Sequence, residues 1–131
     1  KNKNQIILTP HEGEFKRVFK KISKSKLVNC SSASDLVENC ILLKGNDTVV
    51  SFSKDDIWIN PIKSNKLATA GTGDILSGII AGLLAQGVSL RHAVIASVWI
   101  HSKISDSKND SVVEDFLKRI PSTIGSLKNN N

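Results

Sequence analysis

Hydrophobic positions arrive in two rhythms along this chain. Short unbroken runs predict strands covered on both faces: Ile6-Ile7-Leu8, closed by Thr9-Pro10, and Cys40-Ile41-Leu42-Leu43, closed by Lys44-Gly45-Asn46-Asp47. Between them, Phe15, Val18, Phe19 and Ile22 recur at helical spacing from about Glu14, with basic residues on the other side. Ser32 with Asp35 predicts a capping box for a second, short helix through Glu38. Thr48 to Phe52 and Ile57 to Ile59 predict a hairpin around Lys54-Asp55-Asp56, with Ile57, Trp58 and Ile59 alternating as a half-buried strand does.

Downstream the rhythm is helical. A strongly apolar helix is expected from Ile75 to Gln86, with Gly87 just past its end, where a glycine suits the turn. Ser89 predicts the start of a helix through about Ile104, apolar nearly all round and so buried. Ser111 and Glu114 predict another capping box. Val112, Val113, Phe116, Leu117 and Ile120 make one stripe, Pro121 is expected to end it, and the tail from Lys128 to Asn131 to fray. No internal repeat or long linker interrupts the chain, which predicts a single domain over residues 1–131.

Composition changes this picture only by exclusion. With 131 residues, 40% hydrophobic and 23% charged, the chain is neither collagen-like, coiled-coil nor disordered. Two cysteines, Cys30 and Cys40, are too few for a disulfide scaffold. The absence of methionine leads us to expect a piece of a longer or processed chain. The net charge of +6 is mostly lysine, dense only at Lys16, Arg17, Lys20, Lys21, Lys24 and Lys26. Four Phe, two Trp and no Tyr leave little for base stacking, so this cluster reads as a solvated helix face and no nucleic-acid partner is expected. No apolar leader follows the first residues. The run from Ile75 to Leu84, broken by Ser77, Gly78 and Gly82, is short of the roughly 20 residues that cross a bilayer. A cytoplasmic protein without membrane attachment is expected, and the glycosylation-like triplets at Asn29, Asn46 and Asn109 then carry no meaning.

Three polar segments could carry chemistry. Gly71-Thr72-Gly73-Asp74 stands at a helix start, where glycines let the backbone turn and unpartnered N–H groups favour an anion. Asp74 reads either as the helix N-cap or as a base beside a transferring phosphate. A dinucleotide G-x-G-x-x-G fingerprint is excluded because Leu76 holds its last glycine position, and no Walker A sequence occurs. Lys44 to Thr48 follows a buried strand, the end at which open α/β sheets bind ligands, and reads either as such a loop or as a plain polar turn. Thr9-Pro10-His11-Glu12-Gly13-Glu14 follows the other strand, and His11 could cap a helix or touch a ligand. His92 and His101 would face opposite ways on one helix, so no shared metal site is expected; Cys30 and Cys40 read as plain thiols, and no G-x-S-x-G occurs.

These segments, Leu8 to Glu14, Leu43 to Val50 and Leu67 to Gly87, resemble in that order the ADP/ATP-dependent NAD(P)H-hydrate dehydratases. Val98 to His101 and Glu114 to Pro121 are similar to the family's closing helices. The resemblance runs from about Ile6 to Leu127 and corresponds to the C-terminal half of a domain roughly twice this length. It implies a ribokinase-like fold, an α/β three-layer sandwich with a mostly parallel sheet, here only its C-terminal half. It implies a repair reaction in which NADH or NADPH hydrated at C6 of the nicotinamide ring is dehydrated at the expense of ADP or ATP. Magnesium (Mg2+) accompanies the nucleotide, and a homotetramer is implied. By motif match His11 and Asp74 contact the hydrated dinucleotide, and Lys44, Gly45, Asn46, Asp47, Thr48 and Gly73 hold the adenine nucleotide. Asp74 is the general base, and Gly71, Thr72 and Gly73 form the anion hole.

The chain departs from the family in having Glu12 where proline is usual, an added negative charge near an anionic substrate, and in lacking the N-terminal half, itself an expected partner. Two other readings compete: a small-alcohol kinase of the hydroxyethylthiazole kinase type, and a non-catalytic half-domain remnant. The His-x-Gly-Glu segment at His11 and the Lys-Gly-x-x-Thr segment at Lys44 favour the dehydratase.

Overall fold

The apolar runs of the first half pair as strands. The computed structural model describes residues 6–20, 23–62, 71–106 and 113–128, in two units, Lys1–Pro61 and Ile62–Asn131. Of the sequence expectations, those on Lys21, Ile22, Leu67 to Ala70, Asn109, Ser111, Val112 and the last three residues lie outside the described residues.

In the first unit, β1 (Ile7–Leu8), α1 (Glu12–Val18), α2 (Lys26–Val37), β2 (Cys40–Leu43), β3 (Val49–Ser53) and β4 (Asp56–Ile59) follow one another. The strands lie in the order β1-β2-β3-β4. β1 pairs parallel with β2, Leu8 opposite Ile41, and α1 and α2 make the crossover that a parallel pair requires. β2–β3 and β3–β4 are antiparallel. The α/β class stands, but against the mostly parallel sheet expected, parallel pairing among the described strands is confined to β1–β2. The reason is connection length: 44–48 and the Lys54-Asp55 turn are far too short for a crossover.

β2 is buried at every position, as its unbroken apolar run requires. β1 is only half-buried, and Ile6 beside it is exposed, because β1 is the edge of the described sheet. Phe15, Cys30, Ala33, Ile41, Leu43 and Val49 close one core cluster, with Leu8, Phe19 and Val37 packed against it.

α2 starts earlier than Ser32 suggests. Ser25 is its N-cap and accepts from the Val28 N–H. Ser32 falls within the helix, while Ser31 donates to Lys54 O and Ser34 to Asn39 O and Ser51 O. A serine-rich stretch that reads as a helix start is thus a helix interior whose hydroxyls bond to other elements.

The second unit holds α3 (Thr72–Ala85), α4 (Leu90–Asp106) and α5 (Val113–Lys128). Ile75, Ile100, Ile104 and Phe116 form its core cluster, with Ile79, Trp99, Val113, Ile120 and Ile124 around them. Gly87 sits past the end of α3 at φ 82, and the N–H groups of Gly87 and Val88 reach back to Leu84 O and Leu83 O. That is the paired closure a left-handed glycine permits. Pro121 does not end α5 but lies inside it. Proline removes one N–H, the donor to Leu117 O, and both Leu117 and Pro121 are exposed, so water can satisfy that carbonyl.

Candidate active site

Two of the three polar segments meet at one end of the first sheet. Both follow strands that run parallel, so both leave from carboxyl ends, the side on which such sheets bind ligands. The Lys44 N–H donates to Pro10 O at 2.9 Å, and His11 bridges Lys44 just beyond the strands.

His11 is the N-cap of α1. Its Nδ1 accepts the N–H groups of Gly13 and Glu14 at 3.0 and 3.2 Å, and its own N–H donates to Glu14 Oε2 at 2.8 Å. This capping box starts the helix at Glu12 rather than Glu14. Because Nδ1 accepts, the proton of the neutral ring sits on Nε2, which lies 3.4 Å from Glu14 Oε1. The His11 N–H holds the Glu14 carboxyl below its ordinary value; desolvation opposes it, and the nearby charges of Lys44 and Arg17 act in the lowering direction. A lowered carboxyl stabilises above its ordinary value of 4.5 and loses that contribution as pH falls through the lowered one. Thermal melts below pH 4.5 are therefore expected to weaken α1 in the wild type. Glu14→Gln, which keeps the box but cannot titrate, should remove that part of the acid dependence; identical wild-type and Gln profiles would contradict it.

Glu12 stands at the first helical position, where proline is tolerated and an acid suits the helix dipole. Its carboxylate lies 3.7 Å from Lys26 Nζ, which also bonds Asp47 Oδ1 at 2.8 Å. The charge that replaces the family's proline is thus paired. The sequence reading assigned Lys26 to a solvated face, yet it ties Glu12 of one segment to Asp47 of the other. Its companions Lys16, Arg17, Lys20 and Lys24 are exposed, whereas its side chain is only 15% exposed.

Lys26 Nζ also occupies the space beside Gly45 where a side chain would project. Thr48 is buried and its hydroxyl donates to Gly45 O at 3.1 Å, closing the 44–48 turn from within. Asn46 and Asp47 are exposed at its tip. The two thiols take no part. Burial pushes Cys30 up to about 11 and Cys40 up to about 12, so both stay protonated and inert.

In the second unit, Gly71 is the N-cap of α3, at φ 86, with no side-chain cap. Such a φ suits glycine, and a Cβ there would also meet Val113 Cγ2 at 3.1 Å. Asp74 is therefore not the N-cap but the third helical residue. It is exposed, and among the described residues its carboxylate has no hydrogen-bond or ion-pair partner. The first intrahelical donor is Ile75, reaching Gly71 O at 3.4 Å, so the N–H groups of Thr72, Gly73 and Asp74 precede the helix's own bonding. A helix N-terminus and a carboxylate without a partner among the described residues can together hold an anion and accept a proton. Among the described residues no three His, Cys, Asp or Glu side chains gather as a metal cage, and no helix is long and apolar enough to cross a membrane.

Residues 1–124 match the family profile of the NAD(P)H-hydrate dehydratases. The chain belongs to that family. An ADP-dependent (S)-NAD(P)H-hydrate dehydratase of Bacillus subtilis is 35% identical over 84% of this chain and 41% of its own length. A bifunctional NAD(P)H-hydrate repair enzyme of Dictyoglomus turgidum is 35% identical over 93% of this chain and 26% of its own. The crystal structure of the B. subtilis ADP/ATP-dependent enzyme, co-crystallised with ATP and Mg2+, superposes with a TM-score of 0.83 at 30% identity, covering 93% of this chain and 48% of that one. The chain thus spans less than half the length of these relatives. A pyridoxal kinase from Entamoeba histolytica, at 23% identity and a TM-score of 0.64, shares the fold alone.

Within this family member, then, the structure joins the His11 and Lys44 segments through backbone bonds and adds Lys26 to them. It shortens the predicted loop before Asp74 by extending α3 back to Thr72. It also gives His101 a partner: buried on α4, its Nε2 lies 2.9 Å from Thr72 O. No local pattern signals that contact, because its partner is a backbone atom on another helix.

Proposed function

We propose that this chain carries the nucleotide-binding and proton-accepting parts of an ADP- or ATP-dependent NAD(P)H-hydrate dehydratase, cytoplasmic and homo-oligomeric, acting with the remainder of its domain. The observation that carries the reading is Asp74: an exposed carboxylate, unpartnered among the described residues, in the first turn of α3 after a left-handed glycine.

Asp74 takes the proton of the C6 hydroxyl of hydrated NADH or NADPH as that oxygen attacks the terminal phosphorus of the nucleotide. The bond from phosphorus to the departing nucleotide breaks, and the nucleotide keeps the electron pair. The N–H groups of the Gly71–Gly73 turn take up charge on the phosphoryl oxygens. The ring nitrogen's lone pair then expels phosphate from C6, and a proton leaves C5 to restore the double bond. His11 contacts the dinucleotide, and residues 44–48 with Gly73 hold the adenine nucleotide. Among the described residues no side chains gather as a metal cage, so magnesium would enter on the nucleotide's phosphates with at most one or two carboxylates and would neutralise phosphoryl charge there.

The deciding experiment supplies hydrated NADH with ADP or ATP to this chain and to the full-length protein and follows recovery of NADH. Nucleotide-dependent recovery by the full-length protein is expected; none with either nucleotide overturns the reading. The 44–48 assignment has its own test. Thr48 is too buried for a bulky replacement to leave the fold intact, since overpacking costs about 1–3 kcal/mol. Thr48→Val removes only the hydroxyl that holds Gly45 O. We expect ADP affinity about 3- to 10-fold weaker by calorimetry, as one net hydrogen bond implies. Unchanged affinity would remove Thr48 from the nucleotide site.

A further inference from the structure

We propose that His101 is a positioning residue that sets the direction of the Gly73 N–H at the start of α3. The proposal rests on the dehydratase reading for its kinetic consequence, but its geometry does not. His101 is 5% exposed on α4, a buried polar ring that the proposed chemistry leaves unused. Its Nε2 lies 2.9 Å from Thr72 O. A carbonyl oxygen only accepts, so Nε2 carries the proton and donates.

The consequence follows from peptide geometry. The Thr72 carbonyl and the Gly73 N–H belong to one planar trans peptide and point opposite ways. A bond that fixes the carbonyl therefore fixes the N–H, and directs it away from the His101 ring. A donor on the carbonyl also polarises the peptide and strengthens its N–H as a donor. This turn needs such a hold. It is the first turn of a helix, its cap has no side chain, and Gly71 and Gly73 add backbone freedom. The hold is itself braced: Phe116 of α5 stands against the His101 ring at 4.9 Å between centroids, and Val113 crowds the open side of Gly71. An anion site made of backbone N–H groups works only while those groups stay aimed.

The test uses the full-length protein with His101→Gln, which keeps an N–H donor at similar reach, His101→Leu, which keeps bulk without a donor, and His101→Asn, whose amide is too short to reach Thr72 O. Two readouts are taken: the Gly73 amide resonance in the unliganded protein, and kcat and KM for nucleotide-dependent dehydration. The Leu and Asn variants should shift the Gly73 resonance and lower kcat about tenfold, with KM for hydrated NADH within about threefold. The Gln variant should stay within about threefold of wild type in both. Folded Leu or Asn variants with unchanged resonance and kcat overturn the proposal, as does a folded Gln variant as impaired as Asn. If Leu fails to fold, the Gln–Asn pair decides. A wild-type protein inactive with both ADP and ATP overturns the dehydratase reading instead, and the Gly73 resonance then judges His101 alone.

Discussion

Asp74→Asn in the full-length protein is expected to melt near the wild-type temperature, to retain ADP binding, and to dehydrate hydrated NADH at least about 100-fold more slowly. The stability half follows from position. Gly71 holds the cap, so no cap bond is lost with the carboxylate. What is lost is a negative charge in the first turn of α3, worth about 0.3–1 kcal/mol against the helix dipole at an exposed site. The rate half follows from chemistry. An amide keeps the shape and the hydrogen-bond acceptor but cannot take the hydroxyl proton, and losing a general base costs about 10²- to 10⁴-fold. Structural and catalytic readings of Asp74 are thus separated by one isosteric change, measured by calorimetric melting and initial rates. A variant that melts normally and repairs hydrated NADH at near the wild-type rate would end the catalytic assignment.

How far the sequence reaches this site depends on whether the decisive contacts are local. The end of α3 was legible because Gly87 and the periodic apolar residues before it are consecutive. Its start was not. Thr72 and Gly73 are poor helix formers, so apolar periodicity begins only at Ile75, although a left-handed Gly71 had already turned the chain into the helix. Of the two readings that the sequence left open for Asp74, cap or base, the cap therefore falls, because Asp74 is a first-turn residue. The capping box of α1 is as local as Gly87, and His11 was legible as a possible cap; the apolar spacing placed the helix start only at about Glu14 instead of Glu12. Lys26 and His101 lie at the other extreme. Their partners, Asp47 and Thr72 O, are 21 and 29 positions away. Only the sheet order and helix packing bring them together. The serines of α2 and Pro121 misled for a third reason: hydroxyls bonded to other elements and a solvent-facing carbonyl satisfy groups that local rules assume must break a helix.

Ile41→Ala should carry the largest stability cost among the substitutions considered, about 2–5 kcal/mol. Ile41 is 0% exposed in β2, between Leu8 of β1 and Ser51 of β3. Its side chain belongs to the cluster of Phe15, Cys30, Ala33, Leu43 and Val49 under α1 and α2. Truncation removes three carbons, about 0.8 kcal/mol each in transfer alone, and leaves a cavity that neighbours on two helices and a strand cannot easily close. The His11 and Lys44 segments leave from β1 and β2, so the same change should loosen them before the unit unfolds. Leu36→Ala is the control: Leu36 is 76% exposed on α2, and its loss should stay within about 0.5 kcal/mol. Trp58 in β4 reports the first unit and Trp99 in α4 the second, so urea unfolding in a Trp99→Phe background isolates the relevant signal. An Ile41→Ala variant that loses less than about 1 kcal/mol in that experiment would show that the side chain does not sit in a closed core.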